Sequence, residues 1–172
     1  TIEFDQRGKS IHEALNGYEK SDFLWAKTTN VQPTKNAIKL NFHHIMSGIK
    51  VVLQQGSGFD EDEWNRVEYI VSVDGTLRKA SINLATGDVI AEGAADKSII
   101  AADQDNDTYR AVIVPQTVTA GSNLIGMTID GTAYHYAIDE SISFISGKMY
   151  TFTLKVDKRT NGDYSLSLIS QN

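Results

Sequence analysis

Short runs in which apolar and polar residues alternate at every second position recur along this chain. A period of two suits a strand with one buried face and is incompatible with an amphipathic helix. The runs cover residues 38–42, 48–54, 67–73, 79–84, 109–114, 124–129, 133–138, 148–156 and 164–169. In the first, Ile38, Leu40 and Phe42 alternate with Lys39 and Asn41. The runs are rich in Ile, Val, Thr and aromatic residues and are bounded by Gly, Asp and Asn, so they predict an all-β fold, an antiparallel β-sandwich with little helix. Ile38, Leu40, Phe42, Val51, Leu53, Ile113, Ile129, Tyr150, Phe152, Leu154 and Leu166 are the expected core.

The connections support hairpins. Asp130-Gly131 and Thr160-Asn161-Gly162-Asp163 each separate two alternating runs, and Gly supplies the positive φ that such turns need. Asp74-Gly75 and Thr86-Gly87-Asp88 are weaker examples, and Pro115 should end a strand because it has no ladder donor. Ser10, Ile11, His12 and Glu13 have capping-box form and predict one or two helical turns reaching Glu19, interrupted at Asn16-Gly17. A second turn is expected at residues 60–64, and the acidic stretch 92–107 is the expected long loop. The domain reading is an N-terminal segment over residues 1–30, with a short helix or loop, and a single β-sandwich over residues 31–172.

The charge of −6, from 22 acidic and 16 basic side chains, argues against a nucleic-acid partner, and no basic run is longer than the two residues of Lys158-Arg159. No stretch reaches the roughly 20 apolar residues of a membrane-spanning helix. Cysteine is absent, which removes disulfides, thiolate metal sites and cysteine nucleophiles together. Residue 1 is Thr with no signal-like segment after it, the pattern expected of a mature or trimmed chain.

Five features invite a chemical reading, and each falls short. His12-Glu13-Ala14-Leu15-Asn16 begins like a zinc-protease helix, but Asn16 stands where the second His must be. Asp103-Gln104-Asp105-Asn106-Asp107 spaces carboxylates like the front of a calcium loop, yet Thr108 replaces the turn Gly and Val114 the bidentate Glu. His43 and His44 would lie on opposite faces of a strand and cannot chelate one ion together. Gly56-Ser57-Gly58 is not a nucleophile elbow, and Asp60, Glu61, Asp62 and Glu63 read as a solvated face. No catalytic, cofactor-binding or metal residue is therefore expected, and the protein reads as a non-enzyme with no cofactor. Trp25, Trp64 and the run Tyr134-His135-Tyr136 leave open a surface glycan-binding module, which needs coplanar exposed aromatics; β-strand aromatics are otherwise core or cross-strand pairs.

Four elements resemble those of the fimbrillin-like family of Bacteroidetes, and they occur in that family's order. Ser21-Asp22-Phe23-Leu24-Trp25-Ala26 resembles its "DLLYA" element. The segment Leu40-Asn41-Phe42-His43-His44-Ile45-Met46-Ser47-Gly48-Ile49-Lys50-Val51 resembles "L-x-F-x-H-x-x-S-x-(I/V)-x-V". Val114-Pro115-Gln116 is similar to "VPQ", and Phe144-Ile145-Ser146-Gly147-Lys148-Met149-Tyr150-Thr151-Phe152-Thr153-Leu154 to "F-x-x-G-(K)-x-Y-x-(F/Y)-x-(L/I)". The family's lipid-bearing Cys, its upstream "AYYP"-like region and its usual Trp near the end are missing here.

The resemblance implies a transthyretin-like Greek-key β-sandwich in a type V pilus subunit or pilus-associated protein, exported as a lipoprotein to the outer membrane and its fimbriae. It implies a structural or adhesive role, with assembly by β-strand exchange after an N-terminal strand is removed. The implied partners are other fimbrial subunits and a host or bacterial surface protein or glycan. Tyr164, Leu166 and Leu168 alternate with Ser165 and Ser167, so this last run either completes its own sheet or adds to a neighbour's. Arg7 is the one arginine before the first core motif and the available site for an arginine-specific protease.

Overall fold

A computed structural model describes residues 1–7, 17–60 and 62–172. Ser10, Ile11, His12, Glu13 and Asn16 lie outside them, and with them the expected capping box and the broken zinc motif. The described helix is slight: α1 over Gly17–Ser21, which starts at the glycine expected to interrupt it, and α2 over Glu63–Arg66, at the second expected turn.

The strands are, in chain order, β1 (Leu24–Trp25), β2 (His43–His44), β3 (Ser47–Gln55), β4 (Ile70–Val73), β5 (Lys79–Ile82), β6 (Val89–Glu92), β7 (Ile99–Ile100) and β8 (Ala102–Asp103). They continue with β9 (Thr108–Ile113), β10 (Gln116–Val118), β11 (Asn123–Ile129), β12 (Thr132–Ala137), β13 (Ile142–Phe144), β14 (Met149–Lys158) and β15 (Tyr164–Gln171). A five-stranded sheet, β15-β14-β3-β9-β8, and a four-stranded sheet, β12-β11-β4-β7, share one hydrophobic core. The first sheet contributes Ile49, Val51, Leu53, Ile113, Phe152 and Leu154, the second Val71, Val73, Ile125, Met127 and Ile129, all nearly or fully buried. Each set follows the period of two, which is why these runs form strands and why they close face to face. Three further pairs, β1-β2, β5-β6 and β10-β13, flank the two sheets. The ladders are antiparallel except between β3 and β14, which run parallel in register from Gly48↔Met149 to Gln55↔Val156.

Both firm hairpin expectations hold. Asp130 and Gly131 adopt φ of 48° and 79°, the double positive value of a two-residue turn, and Ile129 pairs directly with Thr132 across it. Gly162 has φ 90° in the β14-β15 turn, where Arg159 N donates to Asp163 O at 2.7 Å. Pro115 separates β9 from β10. The Gln116 amide then stands in for a strand partner, accepting from Leu77 N at 2.8 Å and donating to Leu77 O at 3.0 Å.

The core differs from the expected one at one end. Val51, Leu53, Ile113, Ile129, Phe152 and Leu154 are buried, and Tyr150 and Leu166 pack half-buried against them. Ile38, Leu40 and Phe42 are 53%, 47% and 60% exposed, and residues 38–42 pair with no strand. Alternation there is real, but none of the described residues buries that face. The acidic stretch 92–107 is also less open than expected, since β7 and β8 fall within it.

The N-terminus is built into the fold. Ile2 is 2% exposed and Gln6 fully buried. Residues 4–6 run beside β7, with Ile100 N donating to Phe4 O at 2.6 Å and Gln6 N donating to Ile100 O at 2.8 Å. The Gln6 side chain crosses to the other sheet, accepting from Val112 N at 2.7 Å and donating to Val112 O at 2.8 Å. It seals β9 just past the point where β8 stops pairing at Ala102↔Arg110.

Candidate functional site

The features singled out by chemistry are drawn into separate structural duties. In the loop between β8 and β9, Asp105, Asn106 and Asp107 all take positive φ, at 64°, 50° and 54°. Asp103 Oδ1 accepts from Asp105 N at 2.9 Å, and Asp107 Oδ2 accepts from the Trp64 indole N–H at 2.9 Å. The last carboxylate therefore fastens α2 to the sheet. A polar cleft of about 440 Å³ beside the loop is lined by Trp64, Glu68, Asp103, Asp105 and Tyr109 among others. Burial, with smaller contributions from Asp103 and Asp107, pushes the Tyr109 hydroxyl up to about 12. Among the described residues, no three His, Cys, Asp or Glu side chains converge to hold a metal ion.

Of the three described histidines, His43 is exposed in β2 and the other two meet different carboxylates. His44 Nδ1 lies 2.9 Å from Asp22 Oδ1, at a cleft of about 250 Å³ shared with Tyr18, Ser47, Lys148 and Met149. His135 Nδ1 lies 3.0 Å from Asp74 Oδ2, and Ser72 Oγ donates to the other oxygen of the same carboxylate at 2.8 Å. A Ser, an Asp and a His thus meet, but both partners spend themselves on Asp74. A hydroxyl bonded to carboxylate rather than imidazole is not an activated nucleophile.

Aromatic side chains likewise pack rather than present. Trp64 is 6% exposed, edge-on to Phe59 at 5.2 Å and tilted against Tyr69 at 5.0 Å. The half-buried Trp25 donates its indole N–H to Leu84 O at 3.0 Å. Tyr164 joins Phe59 at 5.8 Å and Tyr134 at 5.5 Å, tying β15 to β12 of the other sheet. Neither tryptophan forms the exposed flat platform that a glycan module of this design requires.

Three strand margins stand out among the described residues. The groove under residues 2–6 is filled by the chain's own N-terminus and closes both sheets at once. Arg7 follows it directly, its side chain 53% exposed and bonded to Asp5 at 2.6 Å. At the far side of the larger sheet, β15 pairs with β14 from Lys158↔Tyr164 to Phe152↔Gln171, and Leu168 and Ile169 stand exposed, at 37% and 49%. The last run thus lies in its own sheet, at that sheet's margin. The third edge is the unpaired stretch 38–42. The groove seal was invisible in the sequence, because nothing marks a glutamine side chain as a strand substitute.

Two face-to-face sheets around one core, with the polar clusters drawn into packing, define an all-β sandwich-like module. The sequence pattern of the fimbrillin-like family matches residues 6–169, and the chain belongs to that family. Membership points to a structural, non-enzymatic protein of the fimbrial cell surface. A candidate cell-adhesion protein from Bacteroides ovatus shares 18% identity with a TM-score of 0.62, over 90% of this chain and 54% of its own. A second, from Bacteroides uniformis, shares 18% with a TM-score of 0.54, over 76% and 52%. A third, from Bacteroides fragilis, shares 13% with a TM-score of 0.51, over 77% and 47%. At such identities the likeness is one of fold, and this chain spans about half the length of each of the three. A comparison with curated proteins gives no match.

Proposed function

We propose that this chain is a structural or adhesive component of outer-membrane fimbriae, exported as a lipoprotein and assembled by exchange of β-strands. The observation that carries the reading is the strap formed by residues 2–6. It fills a groove that reaches both sheets, is held by ladder bonds to β7 and by the Gln6 amide on Val112, and is followed at once by an exposed arginine. Losing it would uncover Ile2's pocket together with the free N–H and C=O groups of Ile100 and Val112. An open strand edge above apolar pockets is what a donor strand recognises, with main-chain bonds giving affinity and alternate side chains giving register. β15 supplies the donor, since it lies at a sheet margin and is apolar at alternate positions.

The test compares the natural full-length precursor after limited cleavage by an arginine-specific protease with three variants: Arg7→Ala, a chain ending at Lys158, and Leu166→Asp. The precursor should give a ladder of oligomers on a non-denaturing gel and each variant should lose it. Equal ladders from the last two would show that β15 only closes its own sheet. An undiminished ladder from Arg7→Ala would show that the strap does not leave by cleavage there.

A further inference from the structure

The connection between β1 and β2 exposes more apolar surface than its length explains. Of thirteen exposed large hydrophobic side chains among the described residues, six fall between residues 23 and 42: Phe23, Leu24, Val31, Ile38, Leu40 and Phe42. Residues 38–42 make no backbone hydrogen bond with any described residue. The ladder beside them defines what their backbone offers. Ile45 N donates to Phe23 O at 3.0 Å, so Leu24↔His44 is a pair without direct bonds and Trp25↔His43 is the bonded pair. Continuing that alternation turns the N–H and C=O of Asn41 and Lys39 toward the side on which β1 lies.

No described residue pairs on that side, because β1 leaves it. Trp25 bonds Leu84 O, and Lys27 Nζ donates to Ala85 O at 2.8 Å, drawing the chain onto the β5-β6 turn. What remains is an exposed edge with free ladder groups and apolar side chains, the form that invites a further strand. Its charge selects the strand. No Asp or Glu occurs between Asp22 and Asp60, while Lys27, Lys35, Lys39 and Lys50 lie in that interval, on a chain whose net charge is −6. The edge is therefore the cationic part of an anionic protein, and it favours an acidic partner and disfavours a basic one.

We propose that residues 38–42 are an open β-edge that takes up an extended acidic strand of a partner protein, antiparallel, its apolar residues alternating with Asp or Glu. This takes the mode of association proposed above, strand addition, to a second place on the surface, and rests on that reading for its chemistry and not for its site.

The experiment uses the intact, uncleaved protein and two labelled hexapeptides, one alternating Val with Glu and one alternating Val with Lys. In fluorescence anisotropy at low salt the Glu peptide should saturate, with the Lys peptide at least tenfold weaker. Amide exchange followed by NMR should slow at least tenfold at Lys39 and Asn41 and stay unchanged at Leu40, because alternate amides face the incoming strand. Lys35→Glu with Lys39→Glu should weaken the Glu peptide about fivefold, an effect shrinking at 0.5 M salt as screening sets in. Leu40→Ser with Phe42→Ser should abolish binding while shifting the melting temperature by no more than a few degrees, since both side chains are about half exposed. Equal binding of the two peptides, no binding, or protection elsewhere overturns the proposal. So does protection of residues 38–42 without peptide that rises with protein concentration alongside a sedimenting dimer, which would make a second copy the occupant. Neither peptide contains β15 and the strap stays in place, so failure here leaves exchange through the N-terminal groove standing, and failure of the ladder test leaves this edge to be judged on its own.

Discussion

Replacing Gly126 by Ala tests how the four-stranded sheet is built around Asp74. Gly126 sits in β11 directly between Ser72 of β4 and His135 of β12. A Cβ there would come within 2.3 Å of Ser72 Oγ and 2.5 Å of Asp74 Oδ2. The backbone at this position is open to Ala, so removing glycine's freedom in the unfolded chain alone would stabilise by about 0.4–1 kcal/mol. Against that, Ser72 must rotate away and lose its bond to a carboxylate that is 8% exposed. A hydrogen bond to a charged group contributes about 1.5–3 kcal/mol, and its loss leaves Asp74 with His135 alone. The net expectation is a destabilisation of about 1.5 kcal/mol, a fall in melting temperature of roughly 3–6 °C for a chain of this size. Urea unfolding with an unchanged m-value measures it. In a Ser72→Ala background the Asp74 carboxylate is released to turn aside, and the cost of Gly126→Ala should fall below about 0.5 kcal/mol. A Gly126→Ala protein as stable as the parent, or a cost that persists in the Ser72→Ala background, would refute the reasoning.

Thr76 is fully buried and its hydroxyl has no partner among the described residues, so Thr76→Val, which keeps the shape and removes the stranded group, should stabilise by about 1 kcal/mol in the same unfolding assay. The side-chain hydrogen bond from Lys158, with one from the Asp60 backbone, holds the Glu63 carboxyl below its ordinary range. Its contribution is therefore present above the unfolded value of about 4.3 and is lost as pH falls through the lower folded value, so Glu63→Gln should flatten the acid limb of stability between about pH 5 and 3. Millimolar calcium should leave the melting temperature unchanged, whereas a rise abolished by Asp103→Ala with Asp105→Ala would place a cation in the β8-β9 loop.

Where the chain buries one face of a long strand, its pattern told the fold. Residues 48–54, 124–129 and 148–156 became β3, β11 and β14 with ends shifted by a residue or two, because alternate Val, Ile, Leu and Phe side chains meet only across the core. The turn at Asp130-Gly131 was equally readable, since few sequences tolerate two positive φ values in succession. Ile38, Leu40 and Phe42 show the limit of that logic. Alternation tells which residues share a face and leaves open whether this chain provides what covers it. Short strands escaped altogether: β7, β8, β10 and β13 have two or three residues each, too few for a period to register. The edge seal at Gln6 was illegible for another reason, since it depends on contact with Val112, far off in the sequence.

The parallel pairing of β3 with β14 governs the order of events in folding. Roughly 100 residues separate partners such as Gly48 and Met149, and closing so long a loop costs about 4 kcal/mol in chain entropy before any contact repays it. β3 is the middle strand of the larger sheet, so the hydrophobic centre stays incomplete until the last quarter of the chain arrives. Such non-local topologies fold in milliseconds to seconds rather than microseconds. During synthesis, which delivers the N-terminal end first, β3 and its Ile49, Val51 and Leu53 wait without their lateral neighbour. β3 therefore gains β9 on one side well before β14 on the other, and its face of the core closes only once residues 149–156 have been made.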